Sequence, residues 1–221
     1  MDPRKYAAEL IGTFVFLSIA FTAVQAAKAA DVAPYLAVPF SFGLGLLAAI
    51  HALGHVSGGH FNPAVTVAMV LDRRTTPVDG VGYIVAQVVG AIGAAALVVY
   101  LFGEAGAADV ATAPMGGLEG NDVGTLVAET VMTAAFLLVI LASTRKSPAV
   151  AGIVIPLTLV AIHFAIASLT GSSVNPARSI GPAVLTMDFT VLWIYIVGPV
   201  VGAVIAWGIW AAMGDREAAA A

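Results

Sequence analysis

Ser57-Gly58-Gly59-His60-Phe61-Asn62-Pro63-Ala64-Val65 and Thr170-Gly171-Ser172-Ser173-Val174-Asn175-Pro176-Ala177 decide how this chain is read. Each carries an Asn-Pro-Ala triplet after a small polar run, and the two triplets lie 113 positions apart. One triplet is a common accident of composition; two in the same local setting are not. Asparagine is a strong N-cap whose side-chain carbonyl accepts an orphan backbone N–H. Proline at the first helical position has no N–H to lose and a pre-set φ. Each triplet therefore starts a helix. The roughly ten residues that follow, 62–71 and 175–185, make about 15 Å of helix, only half the thickness of a bilayer's hydrocarbon core.

Lipid is the solvent this composition calls for. Of the 221 residues 60% are hydrophobic and 10% charged, and mean hydropathy is +1.00; a soluble domain of this size cannot bury so much apolar surface. Six runs fit a membrane span: 6–27, 34–53, 81–102, 123–143, 149–169 and 191–213. The first follows Asp2-Pro3-Arg4-Lys5 and is too long for a signal peptide, so it is expected to be retained. Cysteine is absent, which excludes disulfides, thiolate chemistry and cysteine-bound metal.

Charge gives the orientation. With six spans, Arg4, Lys5, Arg73, Arg74, Arg145, Lys146 and Arg216 fall on one side. The other side carries Lys28 and the acidic residues Glu104, Asp109, Glu119 and Asp122. The positive-inside rule puts both termini in the cytoplasm. Arg178 alone breaks the pattern, and a charge at membrane depth is a functional candidate by default.

The two halves repeat. Ala8-Glu9 with Thr13, Phe16 and Leu17 recurs as Ala128-Glu129 with Thr133, Phe136 and Leu137, and Val88-Val89-Gly90-Ala91 recurs as Val200-Val201-Gly202-Ala203. Blocks repeated in one order mean an internal duplication. Three spans per half force the second half to enter from the opposite face. The expected fold is all-α and integral to the membrane: six transmembrane helices plus two re-entrant half-helices in an inverted repeat. A single channel domain spans 1–221, with repeats 1–110 and 120–221 joined by an extracellular loop, 103–122.

Half-helices entering from opposite sides meet N-terminus to N-terminus at the midplane. With each asparagine carbonyl used as a cap, the amide NH2 groups of Asn62 and Asn175 point outward and hold the oxygen of a passing water. Each helix N-terminus adds roughly half a positive charge. Together they disfavour cations and interrupt a proton wire. Gly58, Gly59 and Gly171 permit the tight turns this requires, and the carbonyls before each triplet offer acceptors.

At these motifs the chain resembles the aquaporins of the major intrinsic protein family, over essentially its whole length. The resemblance implies one pore per protomer and a homotetramer. It also implies an outer constriction in which Arg178 is joined by Phe42, His163 and Ser172. Glycerol-conducting relatives typically carry Trp in place of the Phe, lack the His, and have Asp after the Arg, whereas this chain has Phe42, His163 and Ser179. Apart from the resemblance, His163 also reads as a core histidine satisfied by a backbone carbonyl, and Phe42 as a core or lipid-facing aromatic.

Glu9 and Glu129 occupy matching places and need partners at depth. The resemblance suggests that each braces the neighbouring re-entrant loop; snorkelling and a proton relay are the competing readings. His51 and His55 share a helical face, but Ala52 stands where a zinc protease has its glutamate, so His51, His55 and His60 read as packing or hydrogen-bonding residues. Gly90, Gly93, Gly198 and Gly202 read as helix-packing points. Trp193, Tyr195 and Trp210 are expected at the interfaces. The expected function is passive water conduction down osmotic gradients with ions and protons excluded; the alternative is a facilitator of glycerol, another small neutral solute or ammonia. An intramembrane hydrolase needs a nucleophile–base pair that the chain does not offer. No enzyme activity, cofactor, metal or nucleic-acid partner is implied; the partners are water, the bilayer of a prokaryote-like cell membrane and other protomers.

Overall fold

The computed structural model describes residues 2–30 and 34–213, and Arg216 lies outside them. Nine α-helices occur among the described residues: α1 (Pro3–Ala29), α2 (Pro34–Ser57), α3 (Pro63–Leu71), α4 (Pro77–Phe102), α5 (Ala105–Asp109), α6 (Asp122–Lys146), α7 (Pro148–Thr170), α8 (Pro176–Thr186) and α9 (Leu192–Met213). Six of them, α1, α2, α4, α6, α7 and α9, are long and apolar enough to cross a membrane. Each of the six hydropathy runs falls on one of these helices. Most extend beyond the run at one or both ends because capped polar turns continue the helix past the apolar stretch.

Local chemistry sets the boundaries. α1, α3, α4, α7 and α8 open on a proline, which wastes no hydrogen bond at a helix start. Side chains cap the exposed amides: Asp2 accepts from Arg4 N, Thr76 from Asp79 N and Asn121 from Gly124 N. α7 stops at Gly171, whose left-handed φ of 76° costs glycine nothing.

Packing crosses between the halves. α1 lies against α2 and α4, α6 against α9 and α7, and α2 against α7. Of the two short helices, α3 packs chiefly on α9 and α8 chiefly on α4. A methyl group at Gly90 would collide with Leu10 O, and one at Gly202 with Thr130 O, so these glycines set how closely α1 meets α4 and α6 meets α9.

Two expectations need correction. Segment 103–122 is more than a loop: it folds into α5 and a 3₁₀ turn at Gly116–Leu118. It is tied down by Gln25 Nε2 donating to Gly106 O (3.1 Å), a Lys28–Asp109 ion pair (2.7 Å) and Met115 N donating to Leu169 O (2.9 Å). Tyr195 is not an interfacial residue. It is wholly buried, while Trp193 is exposed, because residues two apart on a helix face nearly opposite ways.

Candidate functional site

Glycine-rich turns bring the two Asn-Pro-Ala segments face to face. Gly58 and Gly59 take φ of 96° and 65°, then Phe61 and Val174, each just before an asparagine, take 47° and 43°. Left-handed backbone at a β-branched valine is strained and persists only when the surroundings fix it. The amides of these turns donate to a pair of buried carboxylates. Glu9 Oε1 accepts from Ser57 Oγ (2.6 Å) and His60 N (2.9 Å), and its Oε2 from Phe61 N and Gln87 Nε2 (both 2.7 Å). Glu129 Oε1 accepts from Thr170 Oγ1 (2.7 Å) and Ser173 N (2.9 Å), and its Oε2 from Val174 N (2.8 Å). Both glutamates are fully buried. Each lies on a long helix and gathers the amides of the turn leading into α3 or α8.

That turn aims a carbonyl at the opposite half. Asn62 Nδ2 donates to Val174 O (2.8 Å) and Asn175 Nδ2 donates to Phe61 O (2.9 Å). The side-chain oxygens cap their own helices: Asn62 Oδ1 accepts from Ala64 N (2.8 Å) and Asn175 Oδ1 from Ala177 N (3.0 Å). Each amide NH2 therefore spends one hydrogen on the other half and keeps one. The sequence points each amide group at the permeant but gives no sign of the reciprocal bond between halves, because main-chain acceptors are common to every residue.

A cavity of about 370 Å³ runs past both asparagines, from Arg74, Thr75 and Thr144 at one end to Phe42, His163 and Arg178 at the other. A second, of about 480 Å³, is lined by Tyr35, Met115 and Phe164 and shares His163 and Arg178 with the first. The two cavities meet at those two side chains. There the Phe42 and His163 rings stack at 4.3 Å with 27° between planes, and the Arg178 guanidinium lies 5.1 Å from the Phe42 ring centre and 5.5 Å from that of Phe21. Arg178 Nη1 donates to Val110 O and Nη2 to Gly171 O (3.2 Å). Its Nε, buried, has no partner among the described residues.

His163 combines both readings of the sequence. Its Nδ1 lies 3.0 Å from Leu159 O, and since a carbonyl only accepts, Nδ1 carries the hydrogen. In the neutral ring Nε2 is then an acceptor, and it too is buried without a partner among the described residues. The structure brings Phe42, His163 and Arg178 together. Ser172 is fully buried beside Gly171, its hydroxyl unpartnered, and borders neither cavity.

His60 Nδ1 sits 3.1 Å from Thr66 Oγ1 and its ring lies edge-on to Tyr83, while His51 Nδ1 donates to Leu47 O (2.9 Å). No group of three metal-binding side chains occurs among the described residues. Three participants are not read from the sequence, Val110, Phe21 and Gln87, and Gly171, read there as a turn residue, is not read as an acceptor for Arg178. Gln87 carries no signal in the repeat, because the position matching it in the second half is Pro199.

Comparison with known proteins accords with this architecture. Residues 2–210 match the family described as Major intrinsic protein. The chain is 41% identical to Aquaporin Z of Rhodopseudomonas palustris over 93% of this chain and 91% of that one. It is 40% identical to Glycerol uptake facilitator protein-like 6 of Lactiplantibacillus plantarum, over 92% and 94% respectively. The structure superposes on the aquaglyceroporin from Plasmodium falciparum with a TM-score of 0.86 over 99% of both chains at 21% identity, a likeness of fold. The chain belongs to the major intrinsic protein family, whose members are membrane channels and not enzymes.

Proposed function

We propose that the chain is a passive water channel that conducts in both directions and excludes ions and protons. The observation that carries this reading is the composition of the constriction. Phe42 stacked on His163 forms a bulky wall, and beside it a donor, Arg178 Nε, and an acceptor, His163 Nε2, are left without partners among the described residues, with the Ser172 hydroxyl likewise unpartnered next to Gly171. Water matches such a pair by accepting from one and donating to the other. At the midplane the remaining hydrogens of Asn62 and Asn175, with two facing helix N-termini, favour the oxygen of a single water and disfavour a cation.

The finer parts of the reading are ours as well. The halves 1–110 and 120–221 form an inverted repeat within one channel domain, and 103–122 faces outward. Both termini face the cytoplasm of a bacterial-type plasma membrane. The assembly is a homotetramer with one pore per protomer. Glu9 and Glu129 brace the two turns.

A second reading is favoured by one finding: the Lactiplantibacillus plantarum relative is named a glycerol uptake facilitator-like protein at 40% identity. Stopped-flow light scattering of reconstituted liposomes separates the two. After a jump in an impermeant osmolyte the vesicles shrink fast, and after a jump in glycerol they shrink without re-swelling. Prompt re-swelling in glycerol would make the facilitator reading the right one.

A further inference from the structure

Arg178 is held by main-chain carbonyls, so something must hold those carbonyls in place. Val110 O belongs to the segment between α5 and α6, far from Arg178 in sequence. Two residues on, Thr112 Oγ1 donates to Ser179 Oγ (2.8 Å), the residue next to Arg178. Thr112 also packs on the second anchor: a Cβ on Gly171 would lie 3.2 Å from Thr112 Cα. Residues 110–112 thus touch the guanidinium, its neighbour in sequence and the turn that supplies its other acceptor.

The bond from Thr112 is the head of a chain whose direction can be assigned. Ser173 Oγ gives its one hydrogen to Asn175 O (2.9 Å), so in its 2.7 Å contact with Ser179 Oγ it accepts. Ser179 gives its hydrogen to Ser173 and accepts from Thr112. The hydroxyls run head to tail from Thr112 through Ser179 and Ser173 to the carbonyl of Asn175. All three residues are buried, and such chains strengthen each link. Thr112 and Ser179 line a separate cavity of about 220 Å³ behind the constriction, so this chain lies outside the path that Arg178 guards.

We infer that Thr112 is a positioning residue for solute selectivity: through Ser179 it locks residues 110–112 onto α8 and thereby fixes where the Arg178 guanidinium stands. The inference rests on the constriction read above. Removing the hydroxyl leaves Ser179 with a donated bond only and frees the Val110 carbonyl to move, which widens the gap for larger solutes before it changes the passage of water.

The test compares Thr112→Val, of nearly the same shape, with Thr112→Ser, which keeps the hydroxyl, in liposomes with matched protein incorporation. The readout is the ratio of glycerol to water permeability, each after subtraction of the value for protein-free vesicles; a general loss of folded channel leaves that ratio unchanged. Thr112→Val is expected to raise the ratio about fivefold, the scale of one lost buried hydrogen bond, while Thr112→Ser stays near the unsubstituted protein. An unchanged ratio in Thr112→Val, or an equal rise in both variants, overturns the role. Should the unsubstituted protein itself pass glycerol freely, the water-selective reading fails separately, and a five-carbon polyol replaces glycerol under the same criterion.

Discussion

The amide of Asn62 donates to the carbonyl of Val174 at 2.8 Å, and the strained backbone of Val174, with φ of 43°, is what turns that carbonyl toward it. One bond thus joins the cap of α3 to the turn leading into α8, and Asn175 returns it to Phe61. Replacing Asn62 with Asp keeps the shape and the cap but puts a second acceptor against Val174 O. Asn62→Asp is expected to lower stability by roughly 1–3 kcal/mol and to admit cations at the midplane. Thermal unfolding in detergent and sodium flux in liposomes check the two effects; a variant as stable and as tight as the unsubstituted protein counts against the reciprocal bond having either role.

The two buried glutamates are unequal. Glu129 takes three protein donors and Glu9 four, the extra one from Gln87, whose Oε1 is otherwise unpartnered. In Glu9→Gln, an amide flip of Gln87 offers that oxygen to the new NH2 group, at the cost of the bond from Nε2 to Thr66 Oγ1 (3.0 Å). Glu129→Gln has no such relief and leaves Val174 N facing a donor. Both substitutions destabilise, by roughly 1–3 kcal/mol for each buried donor orphaned, and Glu129→Gln is the costlier. Equal losses in unfolding temperature would show that Gln87 does not compensate.

In the constriction proposed above, His163 supplies both size and polarity. His163→Ala removes the ring stacked on Phe42 and the unpartnered acceptor at its Nε2. Glycerol permeability is expected to rise about tenfold, equivalent to ~1.4 kcal/mol off its barrier. Glycerol re-swelling rates supply the check, and no increase would place the size limit elsewhere along the cavity.

With no cysteine in the chain, micromolar mercurials have no thiolate to attack. Water flux in treated liposomes is expected to match untreated controls. Clear inhibition would reveal a mercury site of another chemistry in the pore.

How much of this was legible in the sequence follows from where its signals lie. Hydropathy marks spans because lipid demands about twenty apolar residues, and all six were found. Asn62-Pro63 and Asn175-Pro176 mark helix starts because a cap and an N1 proline are side-chain features, so α3 and α8 were found too. Val110 and Gly171 were invisible as anchors of Arg178: they act through main-chain carbonyls that every residue possesses. α5 was hidden because Ala105–Asp109 is short and its alanines and glycine suit a loop as well as a helix. The tautomer of His163 was fixed by Leu159 O, one turn back, which no spacing rule singles out.

The central claim is that water passes while protons do not. Water and proton permeability measured on one batch of liposomes, by light scattering and by an entrapped pH dye, tests it most directly. The account predicts water flux far above that of protein-free vesicles with proton flux indistinguishable from theirs. Proton flux that rises together with water flux would contradict it.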